Sequence, residues 1–284
     1  MREFKLEPEN FDLEQTMTCG QTFTWNRFNG DLYGEGPSRF YTFRRGEPLI
    51  VEEDNGLEVK TSLPREEVVE ALGLHRDLEE VFAGFPEDEK LEAARKELWG
   101  LRVLKDEFFP TLMSYLLSPQ MSIPRIKQMY DAIAKNYGEE VEVEGRRLQR
   151  FPTQEELSDA TEDELRDLGV GYRAKYIVET LDRLEDFSLE ELQEKDYEAA
   201  REEMKRLYGV GNKVADCVLL FSQGFHEAAP FDTWAMKAVK AHYPDLYSDS
   251  YAELSKNFRA RFGKDAGYAQ EYIFHAARTG VLEV

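Results

Sequence analysis

Leu207-Tyr208-Gly209-Val210-Gly211-Asn212-Lys213-Val214-Ala215-Asp216, with Pro230-Phe231-Asp232 ending nineteen residues beyond the lysine, decides how this chain reads. Two glycines around one apolar residue allow a tight reversal, which Val210 anchors in a core. The flanking segments are helix-like, so the reversal joins two helices. Amides opening the second helix point outward and favour an anion, for which a phosphate is a natural guest. Lys213 falls in the first turn of that helix, where the dipole disfavours a cation. Asp232 precedes the helical run Thr233 to His242 in N-cap position. An amine and a carboxylate held at two helix starts make a nucleophile and its electrostatic partner. Taken singly, each has a plainer account as a turn, a surface lysine or a cap.

Working outward, 284 residues allow two domains and a substantial core. No run approaches the roughly 18 apolar residues of a membrane span. The first residues carry no signal-type apolar stretch, so a cytoplasmic protein is expected. Two cysteines, Cys19 and Cys217, exclude a four-cysteine iron–sulfur cluster and argue against a disulfide scaffold. His75, His226, His242 and His275 show no metal-ligand spacing, so no metal site is expected. The net charge of −21 is unfavourable for an anionic partner at long range. Contact, however, is made by local patches, and Arg125 with Lys127, Arg173 with Lys175, and Lys237 with Lys240 are basic exceptions. The acidic runs read as solvated surface.

Residues 1 to about 63 read as antiparallel strands. Thr22-Phe23-Thr24-Trp25 and Arg39 to Phe43 alternate, and Asn29-Gly30 and Asn55-Gly56 are hairpin signals. From Pro64 onward the pattern is helical, apart from an ambiguous stretch at Val141 to Phe151. Ser122 opens a helix with Ile126, Tyr130, Ile133 and Tyr137 on one face. Thr153 to Glu156 and Thr161 to Glu164 are capping boxes, and Gly169-Val170-Gly171 is a second corner before a helix from Ala174 to Leu184. The expected class is α+β. Residues 1–100 form an antiparallel sheet domain with flanking helices. Residues 101–284 form a mainly α-helical domain pair, with the helix-hairpin-helix at about 201–222.

The hairpin, its lysine and the Pro-x-Asp resemble the helix-hairpin-helix superfamily of base-excision DNA glycosylases, within it the eukaryotic-type 8-oxoguanine DNA glycosylase/AP lyase branch. Cys19-Gly20-Gln21-Thr22-Phe23-Thr24-Trp25, Gly169 to Tyr176 and Ala266-Gly267-Tyr268-Ala269-Gln270 resemble further motifs of that branch, in the same order across nearly the whole chain. The resemblance implies that Lys213 attacks C1′ of a damaged nucleotide, giving a Schiff base and then β-elimination. Asp232 would stay ionised and stabilise positive charge on the sugar. The extruded base would lie between Cys217 and Phe274, with Gln270 on its Watson–Crick edge. The Gly20 carbonyl would accept from the N7–H that 8-oxoguanine has and guanine lacks. Gly209 and Gly211 would approach the DNA backbone. Gln120, Arg125 and Arg173 would grip the cytosine opposite, while Met121 would wedge into the vacated stack.

The partner so implied is damaged double-stranded DNA, met by a monomer without a membrane. No organic cofactor is required, and the resemblance allows a structural cation at the hairpin. The protein would be nucleoid-associated in a prokaryote and nuclear in a eukaryote. Two departures stand out. Gln120-Met121-Ser122 replaces the branch's three asparagines, predicting a looser cytosine preference, and Trp234 stands where the branch often has histidine. Other readings are a glycosylase of the same superfamily for another damaged base, such as an alkylated purine, and a non-catalytic helix-hairpin-helix DNA-binding protein.

Overall fold

The computed structural model describes residues 1–54 and 56–284. Strands β1 (Arg2–Leu6), β2 (Asn26–Arg27), β3 (Arg39–Arg44), β4 (Glu47–Glu53) and β5 (Leu57–Thr61) form one antiparallel sheet in the order β1-β5-β4-β3-β2. Alternation sets its faces. Phe40, Leu49, Val51, Leu57 and Val59 all point into one core with Leu13 and Met17 of the short helix Leu13–Thr18 and with Val68 and Ala71 of the helix Arg65–Ala71. The other face places Ile50 against Val143 and Leu148 of a second hairpin, β6 (Glu140–Val143) and β7 (Arg146–Gln149). This hairpin resolves the ambiguous stretch after Val141.

The tight turns follow the expectation only in part, since β4 and β5 pair to Glu53 and Leu57 around the second Asn-Gly signal. Asn29-Gly30 is exposed within the long connection from β2 to β3, and Asn55 of the second signal lies outside the described residues. The β3–β4 turn is Arg45-Gly46 (φ 50° and 77°), and the β6–β7 turn is Glu144-Gly145 (φ 52° and 74°). Positive φ at both central residues is the twist-matched hairpin geometry, so a glycine in the second position sufficed without asparagine in the first. Thr22 to Trp25 is likewise no strand. Its polar atoms turn to side-chain partners instead: Thr22 Oγ1 and Trp25 Nε1 donate to the buried Asp106 carboxylate at 2.6 and 2.9 Å. Those bonds stitch the segment after Gly20 to the helical half.

From Arg65 on the chain is helical apart from the β6–β7 hairpin, and the α+β class stands. The helix Ile123–Tyr137 buries Ile126, Tyr130 and Ile133, and both capping boxes form with Thr153 and Thr161. Leu78, Val81, Phe82, Leu91, Ala94 and Leu98, which precede residue 100, pack in the helical core, as do Cys19 and Phe23. At its centre runs the helix Ala266–Thr279, buried continuously from Ala266 to Ala277. A helix wrapped on all sides is normally apolar. This one carries Gln270, Glu271 and His275, and the first two lie where a cavity opens.

Candidate active site

The hairpin joins the helix Tyr197–Met204 to the helix Asn212–Val218. Gly209 has φ 80°, and a Cβ there would sit 2.6 Å from the Tyr176 ring, so both conformation and space demand glycine. Val210 is buried, and Gly211 is the N-cap with nothing within 4 Å of a Cβ, an open approach to the outward amides. Lys213 follows in the first turn. Its Nζ donates to Ser118 Oγ at 3.1 Å and lies 4.9 Å from the Tyr115 ring centroid. Cys217, one turn on, shares its face. Burial pushes the Cys217 thiol up to about 12 against the pull of Lys213, so it remains a thiol, a polarisable apolar surface.

After Val218 the helix widens into a π-turn, Leu219–Gln223, a distortion often found at functional sites. Phe221 from this turn lines the cavity, while its carbonyl accepts the Asp106 amide at 2.7 Å. Asp232 caps the helix Thr233–His242, its Oδ1 accepting from Ala235 N at 2.8 Å.

One cavity collects Gly20, Lys213, Cys217, Asp232, Gln270 and Phe274, which are far apart in sequence. Its remaining wall is Gln21, Tyr115, Phe221, Pro230 and Glu271. The volume is about 50 Å³. A larger cavity of about 730 Å³, between sheet and helices, is lined by Glu107, Phe108, Tyr130, Phe151 and Phe187 and contains none of these six residues. Size does not select the site; chemistry does.

Gly20 is held from three sides. Gln21 donates to the Thr16 and Arg102 carbonyls at 3.0 and 2.7 Å and accepts the Leu104 amide at 2.8 Å. Tyr115 OH donates to Gln21 O at 2.6 Å, and Arg278 donates to Cys19 O. A Cβ on Gly20 (φ 105°) would meet Arg278 Nη1 at 2.7 Å and Ile123 Cδ1 at 2.8 Å.

Sequence reasoning did not find the braces behind Lys213 and Asp232. Asp216 is fully buried on the lysine helix and accepts from Tyr197 OH and Tyr251 OH, each at 2.7 Å. Tyr251 OH in turn accepts from Phe231 N at 3.4 Å, immediately before Asp232. Burial pushes the Asp216 carboxyl up to about 6 against these hydrogen bonds. The chain of contacts therefore ties the helix of Lys213 to the loop of Asp232. Asp216 was visible as an acid on an otherwise apolar helix face, but Tyr251, Ser118 and Arg278 left no local signal.

The remaining predicted residues gather outside the cavity. Gln120 has φ 58°, and Met121 is 38% exposed, its amide bonded to Ser118 O at 3.2 Å. Arg125 donates to Gly169 O at 2.9 Å, and the buried Arg173 donates to Pro119 O. The two arginines thus brace the segment 119–125 against the corner 169–173. Trp234 is 46% exposed beside Asp232, with Lys237 Nζ 5.1 Å from its ring centroid. A cation at the hairpin would need backbone carbonyls. Tyr208 O already accepts the Thr180 hydroxyl at 2.7 Å and Leu207 O the Val210 amide at 3.2 Å.

Residues 3–112 match the family model for the 8-oxoguanine DNA glycosylase N-terminal domain, and residues 113–264 that for the HhH-GPD superfamily base excision DNA repair protein. A probable N-glycosylase/DNA lyase of Methanothermobacter thermautotrophicus is 31% identical over 96% of each chain. The N-glycosylase/DNA lyase OGG1 of Arabidopsis thaliana is 29% identical over 96% of this chain and 79% of its own length. The 8-oxoguanine glycosylase/lyase of Clostridium acetobutylicum, solved with double-stranded DNA containing cytosine opposite 8-oxoG, superposes with a TM-score of 0.86 at 29% identity, covering 99% of this chain and 98% of that one. With a lysine in the first turn after the hairpin, the helix-hairpin-helix and the capping aspartate in one architecture, the chain belongs to the HhH-GPD superfamily of base excision DNA repair proteins and carries that superfamily's 8-oxoguanine DNA glycosylase N-terminal domain.

Proposed function

We propose that this protein excises 8-oxoguanine from duplex DNA and then nicks the strand, using Lys213 as nucleophile. The carrying observation is that Lys213 and Asp232 line one cavity with Gly20, Cys217, Gln270 and Phe274. The damaged nucleotide leaves the stack, because C1′ and the base edge are unreachable inside a duplex. Lys213 Nζ bonds to C1′ as the C1′–N9 bond breaks; the bond's electron pair leaves with the base, which takes up the proton that Nζ sheds on bonding to carbon. Opening of the sugar ring at O4′ turns the aminal into a Schiff base. Loss of a C2′ proton then expels the 3′ oxygen, breaking the strand. Ionised Asp232 stabilises the positive charge that develops on the sugar.

Cys217 and Phe274 supply the two apolar faces for the base, and Gln270 reads its Watson–Crick edge. A Gly20 carbonyl accepts N7–H of the oxidised base but faces the N7 lone pair of guanine. That mismatch disfavours guanine by about 1–3 kcal/mol. Gln120, Arg125 and Arg173 hold the opposite base, Met121 fills the gap, and the hairpin amides around Gly209 and Gly211 hold a phosphate. The reaction uses no organic cofactor, and its substrate places the protein with chromosomal DNA, in a nucleoid or a nucleus.

Borohydride trapping on a duplex with 8-oxoguanine opposite cytosine tests this reading. Wild type should form a covalent adduct. Lys213→Gln should bind the duplex but form none, with excision slowed at least roughly a thousandfold. An adduct that persists in the variant removes Lys213 as the nucleophile.

A further inference from the structure

Glu271 is a cavity group for which the chemistry above has no use. It follows Gln270 on the buried helix Ala266–Thr279, is 2% exposed, and lines the same cavity as Gly20, Lys213 and Asp232. Among the described residues its Oε1 has no hydrogen-bond partner, and neither has Oε1 of Gln270. Buried polar atoms are almost always paired, so two unpaired oxygens lining one small cavity mark a place for a polar ligand. Of the nearby protein groups, the Cys19 thiol hydrogen-bonds the Glu271 carboxyl yet leaves its Oε1 unpaired. The neighbouring cation, Arg278, is committed to the Cys19 carbonyl and lies 5.5 Å from the Phe274 ring centroid. The Cys19 thiol beside the carboxyl donates to Thr16 O at 3.4 Å.

The position of the carboxyl next to Cys19 indicates what it meets. Cys19-Gly20 is the wall whose carbonyl takes N7–H, and on an 8-oxopurine N7 is flanked by two acceptors, O6 and O8. A carboxylate there faces lone pairs, whereas a carboxylic acid donates. Resting on the reading of 8-oxoguanine as substrate, the geometry points to Glu271 as a specificity residue that, in its acid form, donates a hydrogen bond to an oxo oxygen flanking N7 of the extruded base.

Burial, with help from the charge of Asp232, pushes the Glu271 carboxyl up to about 7 against the pull of Cys19 and Arg278. The titratable and charged groups facing it are Cys19, Arg278, Asp232 and Tyr115, with Lys213 lining the same cavity and His275 one turn along its own helix. Burial holds Cys19 and Tyr115 well above their ordinary values, and it lowers His275 to about 4, so none of these three titrates near 7. The sign follows. The folded-state carboxyl is raised, so the donating form is present below about 7 and is lost as pH rises through it.

Single-turnover excision of 8-oxoguanine opposite cytosine, from pH 5.5 to 9, tests the assignment with wild type, Glu271→Gln and Glu271→Ala. The amide of the Gln variant donates at every pH, so it should retain excision and erase the loss through about 7. Lys213 and Asp232 are common to both proteins, and the ratio of the two profiles isolates Glu271. The Ala variant should lose roughly 5- to 100-fold more on the 8-oxoguanine duplex at pH 6 than on a duplex carrying an abasic site, which has no base to hold. Equal losses on both substrates, or parallel pH profiles for wild type and Gln, overturn the assignment. Absence of 8-oxoguanine excision by wild type would instead overturn the function on which it rests.

Discussion

The cavity around Lys213 and the surface formed by residues 120–125 with Tyr172 are built in opposite ways. The cavity walls Cys217, Gln270, Glu271 and Phe274 are packed to within a few per cent of full burial, Lys213 and Asp232 are half-buried, and the whole is braced by Asp216, Tyr251, Gln21 and Tyr115. On that surface, Met121 and Tyr172 are 38% and 42% exposed, and two guanidiniums rest on backbone carbonyls rather than on carboxylates. Bond breaking needs groups held in place before the substrate arrives, since reorganisation would raise the barrier. Reading an orphaned base needs groups that can be released from weak partners when the base appears. Arg27 and Arg150, away from both regions, are instead locked to glutamates.

Three substitutions probe this contrast. Asp232→Asn keeps a competent N-cap but removes the charge. Single-turnover excision should fall roughly 10²- to 10³-fold while the melting temperature changes little. Activity within threefold of wild type would show that the cavity does not work through that charge. Tyr251→Phe deletes only the hydroxyl between Asp216 and Phe231 N. Excision should slow about tenfold at unchanged DNA affinity, because Lys213 and Asp232 lose their common brace. Equal losses of affinity and rate would reduce Tyr251 to a folding role.

Gln120→Asn acts on the exposed surface and should give the smallest effect. Gln120 sits at φ 58°, a region asparagine enters more readily than glutamine. The variant should gain a few tenths of a kcal/mol in stability, and its preference for cytosine over the other three opposite bases should sharpen by up to about tenfold. Cleavage rates against all four bases decide this. A preference already strict in wild type and unmoved by the substitution would mean that the two arginines read the base without residue 120.

Legibility followed the same divide between local and non-local physics. Capping boxes at Thr153 and Thr161, the stop at Gly169, the cap at Asp232 and the reversal at Gly209 were readable because each is satisfied within a few residues. Thr22 to Trp25 misled because a strand-like alternation also suits a segment whose polar atoms are claimed by Asp106, more than eighty residues away. Asn29-Gly30 misled because a turn signal states that the chain can reverse there, not that strands flank it closely.

The sequence by itself determined most helix starts, the hairpin reversal and the placement of Lys213 and Asp232 at two helix starts, since helix starts, glycine turns and hydrophobic periods are short-range. Only the tertiary structure decided that Arg278 clasps Cys19 across 259 residues, that Tyr251 links the Lys213 helix to the Asp232 loop, and that Glu271 lines the cavity with an unpaired oxygen. Burial and the lack of a partner belong to contacts among distant segments. They come into being when the chain packs, and no local pattern of residues encodes them.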